Sequence, residues 1–419
     1  MKKKLLIALA IITIILIALY QIPRPKADFF ENYKGEDKAS DSLKEFQSRS
    51  LESISVDGLV WNYFSGGQGT KTILFMHGMG GAYDLWWQQI NALVSNYKII
   101  TYSLPEEIDN LAATQKGIEA ILAKENVDHF YAIGTSMGGY IGQYLLRNMP
   151  ERIDKLILGN TFPPNDLQRA KNAKTAKLVA WLPEILVAKS RDKKAETDLF
   201  PAGKNHALLR AFLPSLPFSK KGFIGRYNVV VDNFTTNAST YQSKRIPKLI
   251  IESDNDPLVE PELRAALKST YPEAEVFTFH NEGHFPYINA AEEYNTVISA
   301  FFAAESEVLN IENVVLNGYF EARRAADIPT LKKAFYTNAK LYTQKEKEVL
   351  EISLTQYLNT VQKGGPQEVK TSILDIDIVN NIAHCKTKFE YSDLTYIDYL
   401  MLVKNDQEWK IVSKSFSKL

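Results

Sequence analysis

Cysteine is almost missing from this chain: Cys385 is the only one in 419 residues. That excludes an intramolecular disulfide and a thiolate metal cluster. Net charge is missing too, since Lys+Arg and Asp+Glu both number 49. A neutral chain exerts no long-range pull on nucleic acid, so no nucleic-acid partner is expected. The lysines at 171, 174 and 177 read as one solvated helix face. Internal repeats and low-complexity tracts are also absent, which excludes solenoid and array architectures. What is present is a globular balance of 45% apolar and 23% charged residues, enough for one to three domains with their own cores.

Lys2, Lys3 and Lys4 precede an apolar run from Leu5 to Leu19, extended by Tyr20, Gln21 and Ile22. No small-x-small cleavage pattern ends the run, and no cysteine lies nearby for lipid attachment. Residues 1–22 are therefore expected to form an uncleaved transmembrane signal anchor, with a cleaved signal peptide as the alternative. The lysines would stay inside and the remaining chain would lie outside the cytoplasm, single-pass in the cell membrane. Residues 23–53, polar with early prolines, read as a stalk.

From residue 54 the pattern becomes β-rich runs alternating with helix-like segments. Leu59–Phe64, Thr72–Met76, Tyr97–Tyr102, His129–Ile133 and Lys155–Leu158 are strand-like; Leu111–Ala123 and Tyr140–Arg147 are helical. This alternation predicts a parallel sheet covered on both faces. It pauses over about 160–243, where helical segments, prolines and lysines suggest a lid. It then resumes with Lys248–Ile251, Pro261–Ser269, Glu275–Phe279 and Glu292–Phe302, so both flanks of the lid belong to one domain, 54–305. Residues 310–419 carry helix-like segments followed by alternating runs, which predicts a separate α+β domain.

The chemistry-bearing motif is Gly134-Thr135-Ser136-Met137-Gly138 between a strand and a helix. A serine there sits on a tight turn that only flanking glycines permit, with its hydroxyl clear of the sheet and helix amides beside it. Ser136 is the candidate nucleophile. Upstream, His77-Gly78-Met79-Gly80-Gly81 follows the TILFM strand, and the amides of Met79 and Met137 are the candidate oxyanion donors. His77 reads as a brace. Two aspartates leave the Lys248–Ile251 strand: Asp256 is preferred as the orienting acid, and Asp254 remains open as a rival. His284, after Gly283, is the candidate base, with His280 as a weaker rival. The order Ser136, Asp256, His284 suits a nucleophilic triad. No cofactor and no metal is called for by this set.

Residues from about Leu59 to Phe302 resemble the α/β-hydrolase superfamily, through FMHGMGG, AIGTSMGG, SDNDPLV and NEGHFPY. Within it, WNYFSGG, GTSMGGYIGQYL, LILGNTF and YPEAEVFTFHNEGHFPY are similar to maspardin-like proteins. The segment Ser103–Glu107 departs from the Gly-rich loop common at that position. The ending LMLVKNDQEWKIVSKSF resembles NTF2-like domains of the SnoaL-like and lumazine-binding-like group. The resemblance implies an α/β-hydrolase fold with a helical lid, then an α+β NTF2-like cone domain after the transmembrane helix. It implies a serine hydrolase for a small or medium-sized apolar ester, with homodimerisation through the C-terminal domain. The maspardin likeness keeps a non-catalytic envelope interaction or ligand-binding protein as the alternative. An α/β-hydrolase-fold lyase or cofactor-free oxygenase is a third reading. Trp86, Trp87, Trp181, Leu182 and the lid leucines are candidates to line an apolar pocket. In the C-terminal domain, Asp375, Asp377 and Asp398 are candidates to face the cavity.

Overall fold

The computed structural model describes residues 27–35, 38–406 and 408–419, with single helical positions at 11, 13, 14, 18 and 20. The described chain falls into two compact units: the chain up to Ala238 with Ile246–Ala303, and Ser239–Arg245 with Ala304–Leu419.

The first unit is built on an eight-stranded sheet in the order β1-β2-β4-β3-β5-β6-β7-β8. Its strands are β1 (Glu52–Val56), β2 (Leu59–Gly66), β3 (Thr72–Met76), β4 (Lys98–Ser103), β5 (Phe130–Thr135), β6 (Ile153–Gly159), β7 (Lys248–Ser253) and β8 (Glu275–Phe279). Pairing is antiparallel from β1 through β2 to β4 and parallel from β4 through to β8. All residues of β3, β5 and β7 are buried. Strands buried on both faces need continuous apolar runs rather than alternation, as TILFM provides. Helices α1 (Trp87–Leu93), α2 (Leu111–Lys124), α3 (Met137–Asn148), α4 (Asp166–Ala180), α5 (Glu184–Lys194), α6 (Ala207–Ser215), α7 (Lys220–Val231), α8 (Pro261–Thr270) and α9 (Ala291–Ala303) join them. Helices α4 to α7 lie in sequence between β6 and β7. The loops that leave β3, β5, β6, β7 and β8 emerge at the carboxyl ends of parallel strands, where open α/β sheets place their ligands.

Residues 23–53, expected to form a stalk, contribute to the first unit's core where they are described. Within them, Phe29–Asn32 and Ala39–Gln47 are helical, and Phe29, Tyr33, Leu43 and Phe46 are buried in the first unit's core beside Trp87 and Phe212. Asp28 caps the first of these helices through bonds to the Phe30 and Glu31 amides.

The second unit carries a six-stranded sheet in the order β10-β9-β14-β13-β12-β11. These are β9 (Phe335–Lys345), β10 (Glu348–Ser353), β11 (Lys370–Val379), β12 (Ile382–Glu390), β13 (Thr395–Asn405) and β14 (Glu408–Lys418). Pairing is antiparallel except between β14 and β9. Helices α10 (Glu307–Asn313), α11 (Ile328–Ala334) and α12 (Leu354–Gly364) and a π-helical stretch Val314–Glu321 close its core, which includes Tyr319, Phe320, Leu400 and Trp409. Of the three aspartates flagged in the sequence, Asp398 is buried against Tyr319 and Lys414, while Asp375 and Asp377 are exposed.

Among the described residues no helix is long and apolar enough to cross a membrane. The described residues do not bear out the expected transmembrane helix over residues 1–22, nor with it the single-pass cell-membrane location or the membrane as a partner. Most of that run lies outside the described residues.

Candidate active site

Ser136 stands between β5 and α3 with φ 55° and ψ −119°, a left-handed region that non-glycine residues rarely occupy. Such strain, on the order of 1–3 kcal/mol, persists only where surrounding contacts enforce it. Two glycines make that enforcement possible. A Cβ on Gly134 would meet the Gly138 carbonyl oxygen at 2.2 Å, and one on Gly138 would meet the Met76 carbonyl oxygen at 2.1 Å. The turn is pinned further by the Ser136 N–H donating to Gly159 O (2.9 Å) and by Thr161 Oγ1 donating to Ser136 O (2.7 Å). Met137 opens α3, so its N–H has no carbonyl one turn back, and the positive end of the helix dipole points at the turn.

The His284–Asp256 pair is buried. His284 Nδ1 lies 2.7 Å from Asp256 Oδ2, with side-chain exposures of 4% and 0%. Asp256 Oδ2 also accepts from Asn160 Nδ2 (2.9 Å), while Oδ1 accepts from the amides of Leu258 (2.8 Å) and Val259 (3.2 Å). Burial opposes its charge, but the His284 ring, the Asn160 amide and the Leu258 N–H outweigh it and hold the carboxyl below its ordinary range. A charged Asp256 fixes the neutral imidazole with its proton on Nδ1, which leaves Nε2 as the basic nitrogen. The rivals pair with each other elsewhere: His280 Nδ1 lies 2.8 Å from Asp254 Oδ2 on an exposed loop, where Asp254 Oδ1 also accepts from Asn281 N (2.9 Å).

His77 is fully buried, and it accepts and donates at once. The Leu104 N–H donates to Nε2 (3.2 Å), so the ring proton is on Nδ1, which lies 2.7 Å from Gly78 O. It ties the Met79 loop to the segment after β4. Burial, aided by the Arg226 charge and resisted by the Gly78 carbonyl, lowers it to about 4. A neutral ring is therefore built into this loop at physiological pH.

Ser136, His284, Met79 and Met137 all line one cavity of about 480 Å³. Asp256 lies behind His284. The cavity wall is largely apolar, including Phe162, Val179, Leu182 and Leu213 from the β6–β7 segment and Leu258 and Phe285 from elsewhere. Leu182 thus lines the pocket, as expected from the sequence. Trp86 and Trp87 do not; they are fully buried core residues, packed on Phe75 and Tyr287 and on Phe212 respectively. Trp181 is 83% exposed. Asn160 and Thr161, which no sequence motif singles out, directly follow the apolar LILG run.

Residues 71–291 match the profile described as alpha/beta hydrolase fold, which is more than half of the chain. Residues 306–417 match the one described as putative lumazine-binding. The chain therefore joins an α/β-hydrolase-fold domain to an NTF2-like, lumazine-binding-like C-terminal domain. Among curated relatives, the putative carbamate hydrolase RutD of Serratia proteamaculans is 31% identical over 107 residues, 23% of this chain and 40% of that protein. RutD of Rhizobium rhizogenes is 25% identical over 252 residues, covering 57% of this chain and 95% of that protein. The chain spans only about two fifths of the length of the Serratia relative. Among solved structures, a hydrolase from Pseudomonas aeruginosa PA01 superposes with a TM-score of 0.53 at 19% identity, over 61% of this chain and all of that one. The β-sheet order, the strained turn at Ser136 and the profile over residues 71–291 lead to one conclusion: this chain belongs to the α/β-hydrolase fold family.

Proposed function

We propose that the first unit is a serine hydrolase that cleaves small or medium-sized apolar carboxylic esters through an acyl-enzyme. The observation that carries this reading is the buried Asp256–His284 pair, whose imidazole opens on the same cavity as Ser136. His284 Nε2 takes the Ser136 proton as Oγ attacks the ester carbonyl. The amides of Met79 and Met137 hold the oxyanion, each donor worth about 2–4 kcal/mol in the transition state. His284 then protonates the leaving alcohol, and water activated by the same ring releases the acid. The apolar part of the wall suits an acyl chain. The relatives include a putative carbamate hydrolase of Rhizobium rhizogenes and a pimeloyl-[acyl-carrier protein] methyl ester esterase of Vibrio campbellii, names that fit attack on an ester or carbamate carbonyl.

The motifs GTSMGGYIGQYL and YPEAEVFTFHNEGHFPY support a finer affinity with maspardin-like proteins, where a non-catalytic interaction role is the second reading. A buried Asp256–His284 pair whose ring reaches the cavity lined by Ser136 favours catalysis. Turnover of p-nitrophenyl esters from acetate to octanoate tests the choice. The wild type should hydrolyse them with a preference for chains longer than acetate, and Ser136→Ala should lose about a thousandfold or more in kcat. Equal turnover by both proteins would refute the assignment.

A further inference from the structure

Strand β6 supplies none of the three side chains assigned to catalysis, yet the two residues after it bond to the segments that supply all three. We infer that Asn160 and Thr161 are positioning residues that set the relative geometry of Ser136, Asp256 and His284; the inference rests on the serine-hydrolase reading above.

Asn160 is 3% exposed and sits at φ 41°. Its N–H donates to Ile251 O (2.7 Å), which fixes the end of β6 against β7. Its side-chain Nδ2 lies 2.9 Å from Asp256 Oδ2, 3.4 Å from Gly283 O and 3.4 Å from Ser253 Oγ. One amide therefore contacts the acid and the residue just before the base. Thr161 Oγ1 donates to the carbonyl of Ser136 itself (2.7 Å). The same side chain abuts the nucleophile helix, since a Cβ on Gly139 would meet Thr161 Cβ at 2.7 Å. Adjacent residues of one chain thus hold the nucleophile on one side and the acid–base pair on the other.

The electrostatic consequence is specific. Asp256 Oδ2 is shared between His284 and Asn160, so the donor amide withdraws charge from the imidazole's partner. Removing it loosens the orientation of the carboxylate and of the imidazole that it holds.

Asn160→Gly, which tolerates the positive φ, should lower kcat about 10- to 100-fold, the range for a hydrogen bond to a charged group. KM should stay within about twofold. Thr161→Val should cost about tenfold in kcat with KM unmoved, and Thr161→Ser should restore kcat. A loss in Asn160→Gly carried by KM rather than kcat, or wild-type kinetics in Thr161→Val, would overturn the positioning role. If Asn160→Gly does not fold by circular dichroism, the Val/Ser contrast at 161 decides. Fluorophosphonate labelling of the wild type separates the two layers. A labelled wild type with wild-type-like variants rejects the positioning role alone, whereas an unlabelled and inactive wild type rejects the hydrolase reading and this inference with it.

Discussion

Acidification should weaken the first unit through His77 before it protonates most carboxylates. The ring is held at about 4 in the fold against an ordinary 6.5, mainly because burial disfavours its charge. Between those values the unfolded chain binds the proton and the folded chain does not. The neutral ring's contribution is therefore complete above pH 6.5 and is lost as pH falls toward 4. The loss amounts to about 2 kcal/mol at pH 5 and about 3 kcal/mol at pH 4. Protonation would also remove the Nε2 acceptor from the Leu104 N–H and so disturb the loop that carries Met79. Urea titrations at pH 7, 6, 5 and 4 can read this by fluorescence, because Trp61, Trp86 and Trp87 are fully buried in the first unit. His77→Gln keeps hydrogen-bonding capacity but does not titrate. Its stability should fall with pH less steeply than the wild type's, by those differences. Parallel pH slopes in the two proteins would refute the reasoning.

Asp256→Ala should lower kcat by about 10³–10⁴ by releasing the imidazole, whereas Asp254→Ala, on the exposed loop, should leave kcat within about twofold. Steady-state kinetics on one ester distinguishes them. Gly138→Ala brings a methyl to 2.1 Å from the Met76 carbonyl oxygen, so it should cost at least about 1–3 kcal/mol, visible as a lowered Tm, and should abolish labelling of Ser136. Burial, with the nearby charges of Glu312 and Asp375, pushes the Cys385 thiol well above its ordinary range. Iodoacetamide at pH 8 should leave it unmodified in the folded protein and alkylate it fully in urea, as intact mass would report.

The parts legible in the sequence are those whose environment is set by local pattern. Thr72–Met76 and Glu275–Phe279 were read with the limits the structure gives them, because short apolar runs bounded by glycine or polar turns leave little choice of strand ends. The turn at Ser136 was legible because its glycines answer a steric demand within five residues. Elements with mixed polarity were missed. β1, β9, β10 and α12 went unread, and β10 is mostly exposed at a sheet edge, where no buried face imposes alternation. Trp86 and Trp181 show a further limit: both are apolar, yet one fills the core and the other faces solvent, a difference set by tertiary packing. Asn160 and Thr161 gain their roles only once β7 and β5 are placed beside β6, so no local signal could assign them.

Peptide mass spectrometry after reaction with a fluorophosphonate tests the central claim most directly. The account predicts one phosphonylated residue, Ser136, formed slowly in His284→Ala and absent in Ser136→Ala. An adduct on another residue, or labelling that survives the loss of the Ser136 hydroxyl, would contradict it.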